Sequence, residues 1–173
     1  MRQRATNSAV LLTGRPLSAD ECSFLATYFG DALDTTPIRI AASLGKRSWS
    51  PFGHRISLVK RHFGEGHPGS EVTLSDPQAA AVFAHEALHV WQRQRGRRVT
   101  WEAIPLQAGY ILAGRDPYDY EPSDDPALLL ERFLRGNVEQ QAKIFEDWVY
   151  RDRTGAPVDA FAAVANHVRS RGA

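Results

Sequence analysis

One cysteine, Cys22, and one methionine stand in 173 residues. A lone thiol closes no intramolecular disulfide, and without a Cys-x-x-Cys pair there is neither a thiolate zinc finger nor a redox dithiol. Any metal must be held by histidine and carboxylate. An excess of charge of one sign is lacking too: Lys plus Arg number 21 against 20 for Asp plus Glu, a formal net charge of +1. No field of that kind argues for nucleic acid or a membrane surface as partner, and neither is expected. Long apolar runs are missing. Ala9 to Leu12 is far shorter than a signal-peptide core, and no span approaches the roughly 20 apolar residues of a membrane helix. Neither Sec export nor a membrane anchor is expected; export by a machine that reads no N-terminal signal stays open. Internal repeats and low-complexity tracts are absent as well.

What is present is ordinary globular composition, 43% hydrophobic and 24% charged, in a chain of single-domain length that can bury about two thirds of its unfolded surface. Residues 1–14 read as a flexible leader and 15–173 as one domain. Ser18 followed by Glu21 is a capping box that opens a helix to about Gly30. Ile38 to Ile40 and Ile56 to Val59 alternate as short strands across the Gly, Ser and Pro-rich stretch Ser43 to Gly53, and Val72 to Leu74 reads as a third. From Ser75 the pattern turns helical. Ser75 or Asp76 caps, Pro77 suits the first turn, and Ala79 to Gln94 runs unbroken to a stop at Gly96. Further helices are predicted over about Thr100 to Ala113, Pro126 to Leu134, Asn137 to Arg151 and Val158 to Arg169, with a long loop from Gly114 to Asp125. The layout is α+β, a small N-terminal sheet followed by a helical bundle.

The chemistry concentrates in His85-Glu86-Ala87-Leu88-His89, an H-E-x-x-H pattern in mid-helix. Residues four apart lie about 40° apart around a helix, so both imidazoles leave one face and can share a metal ion, while Glu86 stays on the same side. With six histidines and nine glutamates in the chain, the pattern is expected by chance only about 0.01 times. Two histidines merely packed in a core are a poor alternative, because each would need its own polar partner. Zinc at such a site makes water acidic near neutral pH, and Glu86 can accept its proton as general base. A third protein ligand is usual for catalytic zinc. No histidine follows closely, the next being His167, so a carboxylate from a later helix is expected. Glu139 lies beside the apolar stripe Val138, Ala142, Phe145 and Val149, and Glu146 shares its face two turns on. Spacing alone does not choose between them.

Smaller features have plainer readings. Tyr118 and Tyr120 sit in the loop between the motif helix and Glu139, where a phenol can donate to the oxyanion of a tetrahedral intermediate or simply pack the loop. The arginines at 93, 95, 97 and 98 suit a helix C-terminus, favoured there by the helix dipole. His54, His62 and His67 lack helical spacing and read as surface residues, and Trp91, Trp101 and Trp148 as core anchors.

Taken in order, Gly14 to Ser18, Phe29 to Leu33 with Ile38 to Ile40, Phe83-Ala-His-Glu-Ala-Leu-His-Val-Trp-Gln92, Tyr118 to Tyr120, and Asn137-Val-Glu-Gln-Gln-Ala142 resemble the short zincin-like proteins called Vgr-related. Those are bacterial proteins similar to domains associated with type VI secretion and extracellular contractile injection systems. The resemblance spans nearly the whole chain. It implies a zincin-like fold and a gluzincin-type site binding one Zn2+ through His85, His89 and Glu139, with Glu86 as base and Tyr118 or Tyr120 as further catalytic candidates. It also implies a metallopeptidase acting on a peptide or protein substrate, with a secretion-apparatus protein as a possible partner. The alternative is an inactive zincin-like accessory or adaptor of such an apparatus, and a metal-free helical binding module ranks third. The expected location is the bacterial cytoplasm, with delivery by a signal-independent machine.

Overall fold

The computed structural model describes residues 14–170, without 44, 51, 68 and 115 and without the side chains of 107 and 110–113. Except for Gly14, the expected leader therefore lies outside the described residues. Gly14 has φ +76°, and a Cβ there would come within 2.9 Å of the Ile40 carbonyl oxygen. Only glycine lets the chain enter the sheet so closely.

Strand β1 (Arg15–Pro16) leads into helix α1 (Ala19–Phe29) through Ser18. The Ser18 hydroxyl accepts from the Glu21 amide at 3.2 Å and the Glu21 carboxylate accepts from the Ser18 amide at 2.9 Å, which is the capping box the sequence predicts. Strands β2 (Arg39–Ala42) and β3 (Arg55–Leu58) pair in parallel with Ile40 opposite Ile56, and β1 pairs antiparallel with β2, giving the order β1-β2-β3. The connection between β2 and β3 carries no helix among its described residues. It doubles back so that Trp49 and Ser57 exchange backbone hydrogen bonds of 2.8 and 2.9 Å along the outer side of β3.

The third strand is thus Arg15–Pro16 and not Val72 to Leu74. Val72 forms only an isolated bridge with Phe63, and its amide donates to the Glu21 carboxylate at 2.8 Å. A side chain has taken the donor that a ladder would need.

Helix α2 (Pro77–Gln94) begins at the Asp76 cap with Pro77 in its first turn and is buried at nearly every residue from Ala79 to Gln92. Such all-round burial suits its alanines at 79, 80, 81, 84 and 87, which keep the cylinder thin enough for close neighbours. The rest of the chain supplies α3 (Val99–Ala113), α4 (Pro126–Arg135), α5 (Val138–Thr154) and α6 (Ala162–Arg169). The last is shorter than the sequence suggests, since Asp159–Phe161 forms a separate 3-10 turn before it.

The most extensive helix contact is between α2 and α5. Aromatic rings weld α1 to both: Phe24 stacks on Phe83 at 5.7 Å, Phe29 meets Phe145 at 4.7 Å, and Tyr28 meets Trp148 edge-on at 5.3 Å. Each buried ring of this kind contributes about 1.5–3 kcal/mol. A helix cap contributes about 1 kcal/mol, so packing and not capping holds the layers together.

Two expectations change at the side-chain level. Trp91 and Trp148 are core residues, but Trp101 is 74% exposed on α3. His62 is not a surface residue. It is 3% exposed, on a 3-10 turn at Lys60–His62 behind β3. Three of the four clustered arginines are engaged within the chain: Arg93 bonds Ser50, Arg95 lies over the Trp91 ring at 4.2 Å, and Arg97 pairs with Glu102.

Glu21 ties three segments at once. Fully buried, it accepts from Arg15 at 2.6 and 2.7 Å as well as from Ser18 and Val72, while Arg15 also donates to the Ser70 carbonyl at 2.7 Å. Burial alone would raise its pKa, and the hydrogen bonds from Arg15, Ser18 and Val72 outweigh it, leaving the carboxyl below the usual glutamate range. A folded pKa below the unfolded one gives stability that is present above the unfolded value and lost as pH falls through the folded value. Glu21→Gln is expected to cost about 3 kcal/mol by urea melts at neutral pH. Wild type should lose more stability than the variant between about pH 5 and pH 3; equal slopes would show that this carboxylate carries no such linkage.

Candidate metal centre

Where α2 meets the first turn of α5, the apolar interface is interrupted by one polar group of residues. His85, Glu86 and His89 leave α2 on adjoining faces, and Glu139 stands two positions after the Asn137 cap of α5, whose side chain accepts from the Glu139 amide at 2.8 Å. All four side chains are buried. Glu139 Oε2 lies 3.5 Å from His85 Nε2 and 3.3 Å from His89 Nε2. One ligand atom from each of the three residues lies within 4.8 Å of the others, so the cluster can hold a metal ion. Metal–ligand bonds of about 2.0–2.1 Å in a tetrahedron set neighbouring ligand atoms about 3.3–3.4 Å apart. Both separations from Glu139 lie close to that edge.

Behind these atoms, outer partners fix the two imidazoles. Glu146, which spacing could not separate from Glu139, contacts the other nitrogen of His85: its Oε2 is 2.8 Å from Nδ1. The approach is too oblique for a full hydrogen bond, so charge holds this pair more than direction does. His89 Nδ1 is 2.9 Å from Gln92 Oε1, and a chain of donors decides who gives the proton. Arg97, which can only donate, gives Nη1–H to Gln141 Oε1 at 2.9 Å. That oxygen also accepts from Gln92 Nε2 at 2.8 Å, and the same Gln92 nitrogen donates to the Val138 carbonyl. With its amide group spent as donor, Gln92 presents its oxygen to His89. His89 must then carry a proton on Nδ1, which leaves Nε2, the nitrogen facing Glu139, for a metal ion.

Charge draws the same groups together. Burial would lower the His85 pKa, but contact with Glu139 and Glu146 overrides it and raises the value to about 10. Burial likewise opposes ionisation of both glutamates. His85 and His89 nevertheless hold Glu139 far below the carboxylate range, and His85 with Lys143 brings Glu146 down to about 2. Glu86 goes the other way. Burial raises its pKa, only partly offset by the attraction of His85 and His89, and its Oε2 is buried with no hydrogen-bond partner. A buried carboxylate oxygen left without a partner is costly, and beside a metal-ligand triad it is well placed for water.

The site opens into a cleft of about 320 Å3 whose lining includes His85, Glu86, Tyr118 and Glu146. Two larger hollows, one against α1 and one between Tyr120 and Gln140, have no histidine in their linings. The Tyr118 ring lies 6.0 Å from that of His85. Tyr120 instead donates to Asp147 at 2.8 Å, and Lys143 joins Asp147 to Glu146 through contacts of 2.9 Å each. The loop that carries both tyrosines is tied down. Asn137 donates to the Pro117 carbonyl, Gln140 to that of Asp119, and Arg132 to those of Glu121 and Pro122.

No protein-family profile matches this chain. The type VI secretion system spike protein VgrG2b of Pseudomonas aeruginosa is 33% identical over 142 residues, which take in 78% of this chain and 13% of the spike. The solved effector domain of Pseudomonas aeruginosa VgrG2b superposes with a TM-score of 0.67 at 26% identity, over 94% of this chain and 92% of that one. This chain is a relative of that effector domain.

The relationship to VgrG2b agrees with the Vgr-related blocks in the sequence and extends over both α2 and α5. What sequence reasoning missed are the partners behind the ligands. Gln92 is three positions after His89, which is contact distance on a helix, and that spacing was its available signal. Gln141 and Arg97 carried none. Gln92→Leu is expected to weaken any metal-ion binding at this cluster about 10- to 100-fold in a chelator-competition titration, and Glu146→Ala similarly, through the loss of outer partners. Glu139→Ala should cost more than either. Unchanged affinity in Gln92→Leu would mean that the Arg97–Gln141–Gln92 chain does not orient His89.

Proposed function

We propose that this protein is a zincin-type zinc peptidase domain, of effector or accessory type, serving a type VI or related bacterial secretion apparatus. The observation that carries the reading is the buried triangle of His85, His89 and Glu139 with Glu86 unpartnered beside it. Buried imidazoles paired with carboxylates, each with an outer partner, suit a divalent ion of borderline softness such as zinc. Zinc held there supplies Lewis-acid chemistry, making water a nucleophile near neutral pH and polarising a peptide carbonyl.

The chain's own groups do the rest. Glu86 takes a proton from water at its free Oε2 and passes it to the departing amine nitrogen, and its raised pKa brings it closer to the working range of a general base. Tyr118 lines the cleft next to His85 and offers a phenol to the oxygen of the scissile carbonyl. Tyr120, engaged with Asp147, secures the loop that presents Tyr118. The secretion role rests on likeness to a domain that makes up a small part of a spike protein, and delivery by that machine would require no N-terminal signal. Among the described residues, no helix is long and apolar enough to cross a membrane.

Protein purified without chelator should contain about one zinc per chain. Glu86→Gln should keep that zinc while turnover of a peptide library falls by about 10²–10⁴. Wild type without stoichiometric metal would overturn the site. Zinc-loaded wild type and Glu86→Gln giving the same turnover would leave an inactive accessory domain, in which the same triad is structural.

A further inference from the structure

The cleft has two unlike walls. One comprises His85 and Glu86 of α2, Glu146 of α5, and Asp116 and Tyr118 of the loop. The other is built from the β2–β3 connection and the turn after β3, and it presents Lys46, Arg47, Ser48, Arg61 and the buried His62. Among the described residues, Lys46 and Arg61 are exposed and take part in no ion pair. Two of the anions opposite are committed. Glu146 is shared by His85 and Lys143, Glu86 is buried beside the two imidazoles, and Asp116 accepts from the Tyr118 amide at 2.9 Å.

The His62 imidazole shows what that wall does to a titratable group. Burial and then the charge of Arg61 push its pKa down, against the weaker pull of Asp76. Its Nδ1 has no partner. His62, Lys46, Arg47 and Arg61 thus bring cations and a neutral imidazole, and no carboxylate, to this side of the cleft lining.

We infer that the Lys46–Arg61 wall binds a carboxylate of the peptide, so that the cleft selects acidic chains over neutral or basic ones. The inference deepens the peptidase reading, and rests on it for the claim that the occupant is a peptide. The carboxylate has two possible sources, an Asp or Glu side chain and a free C-terminus. Both offer the same charge to the same wall.

Binding can be measured apart from turnover. Fluorescent hexapeptides that differ only in carrying Asp and Glu, Asn and Gln, or Lys, each made as free acid and as C-terminal amide, are titrated by anisotropy against the full chain carrying Glu86→Gln, with and without zinc. At low salt the acidic set is expected to bind about tenfold tighter than the neutral set, with the advantage shrinking as salt rises. Added to that chain, Arg61→Glu should erase the advantage, and Lys46→Glu should repeat the loss from a separate segment. Lys60→Glu makes the same change in net charge one residue from Arg61 but outside the cleft lining, and should preserve the preference. An acidic-over-neutral preference that persists in the amides assigns the carboxylate to side chains; neutral free acids that bind about tenfold tighter than their amides, a gain removed by Arg61→Glu, assign it to the terminus. Acidic and neutral amides that bind within twofold together with free acids no tighter than their amides, or Lys60→Glu acting as strongly as Arg61→Glu, would overturn the inference. Charge-dependent binding without hydrolysis by zinc-loaded wild type would instead overturn the peptidase reading and leave the anion-binding wall in place.

Discussion

A helix buried on every side cannot carry polar groups unless each finds a partner, and α2 carries three side by side. His85, Glu86 and His89 face a desolvation cost of several kcal/mol per ionised group, and the fold around them is arranged to meet it. α5 must approach closely enough for Glu139 and Glu146 to reach opposite nitrogens of one ring. The alanines of α2 permit that approach, and the aromatic contacts from α1 to Phe83, Phe145 and Trp148 hold α2 and α5 in place. Glu86 Oε2 has no hydrogen-bond partner, and it lies where the proposed chemistry needs an acceptor.

The orienting of His89 shows how far such a constraint travels. Arg97 lies outside the helix that bears the ligand, yet its inability to accept a proton decides which way two amides face. The amides in turn decide which imidazole nitrogen is bare. No step in that chain depends on a charge close to the ligand atoms. It is a matter of donors being counted out until one arrangement is left, and it makes the C-terminal turn of α2 part of the site's geometry.

Much of this was legible in the sequence because it is local. A capping box, an H-E-x-x-H spacing on an apolar-faced helix, Pro77 at a helix start and Gly96 past its end are all patterns within a few residues, and the corresponding elements appear with small shifts at their ends. Two glutamates seven apart were legible as facing α2, though not as serving different nitrogens, because that depends on how two helices cross. The third strand was misplaced for a similar reason: Val72 to Leu74 has strand-like residues, but a glutamate 51 positions earlier takes its amide. Trp101 and His62 were misassigned by residue type. Tryptophan is usually buried and histidine usually not, and neither habit reveals which side of a tertiary contact a residue falls on.

The segment between β2 and β3 turns back along β3 at Trp49 and Ser57, so it closes the outer edge of the sheet while contributing Lys46 and Ser48 to the cleft. An open strand edge invites pairing with other chains, and covering it guards against aggregation. The same stretch is therefore answerable to solubility and to ligand choice together. Insertions that remodel this rim would also uncover the strand, whereas exchanges of exposed side chains would leave the backbone cover in place. A lineage changing its target has the easier path through single surface charges than through new loop lengths.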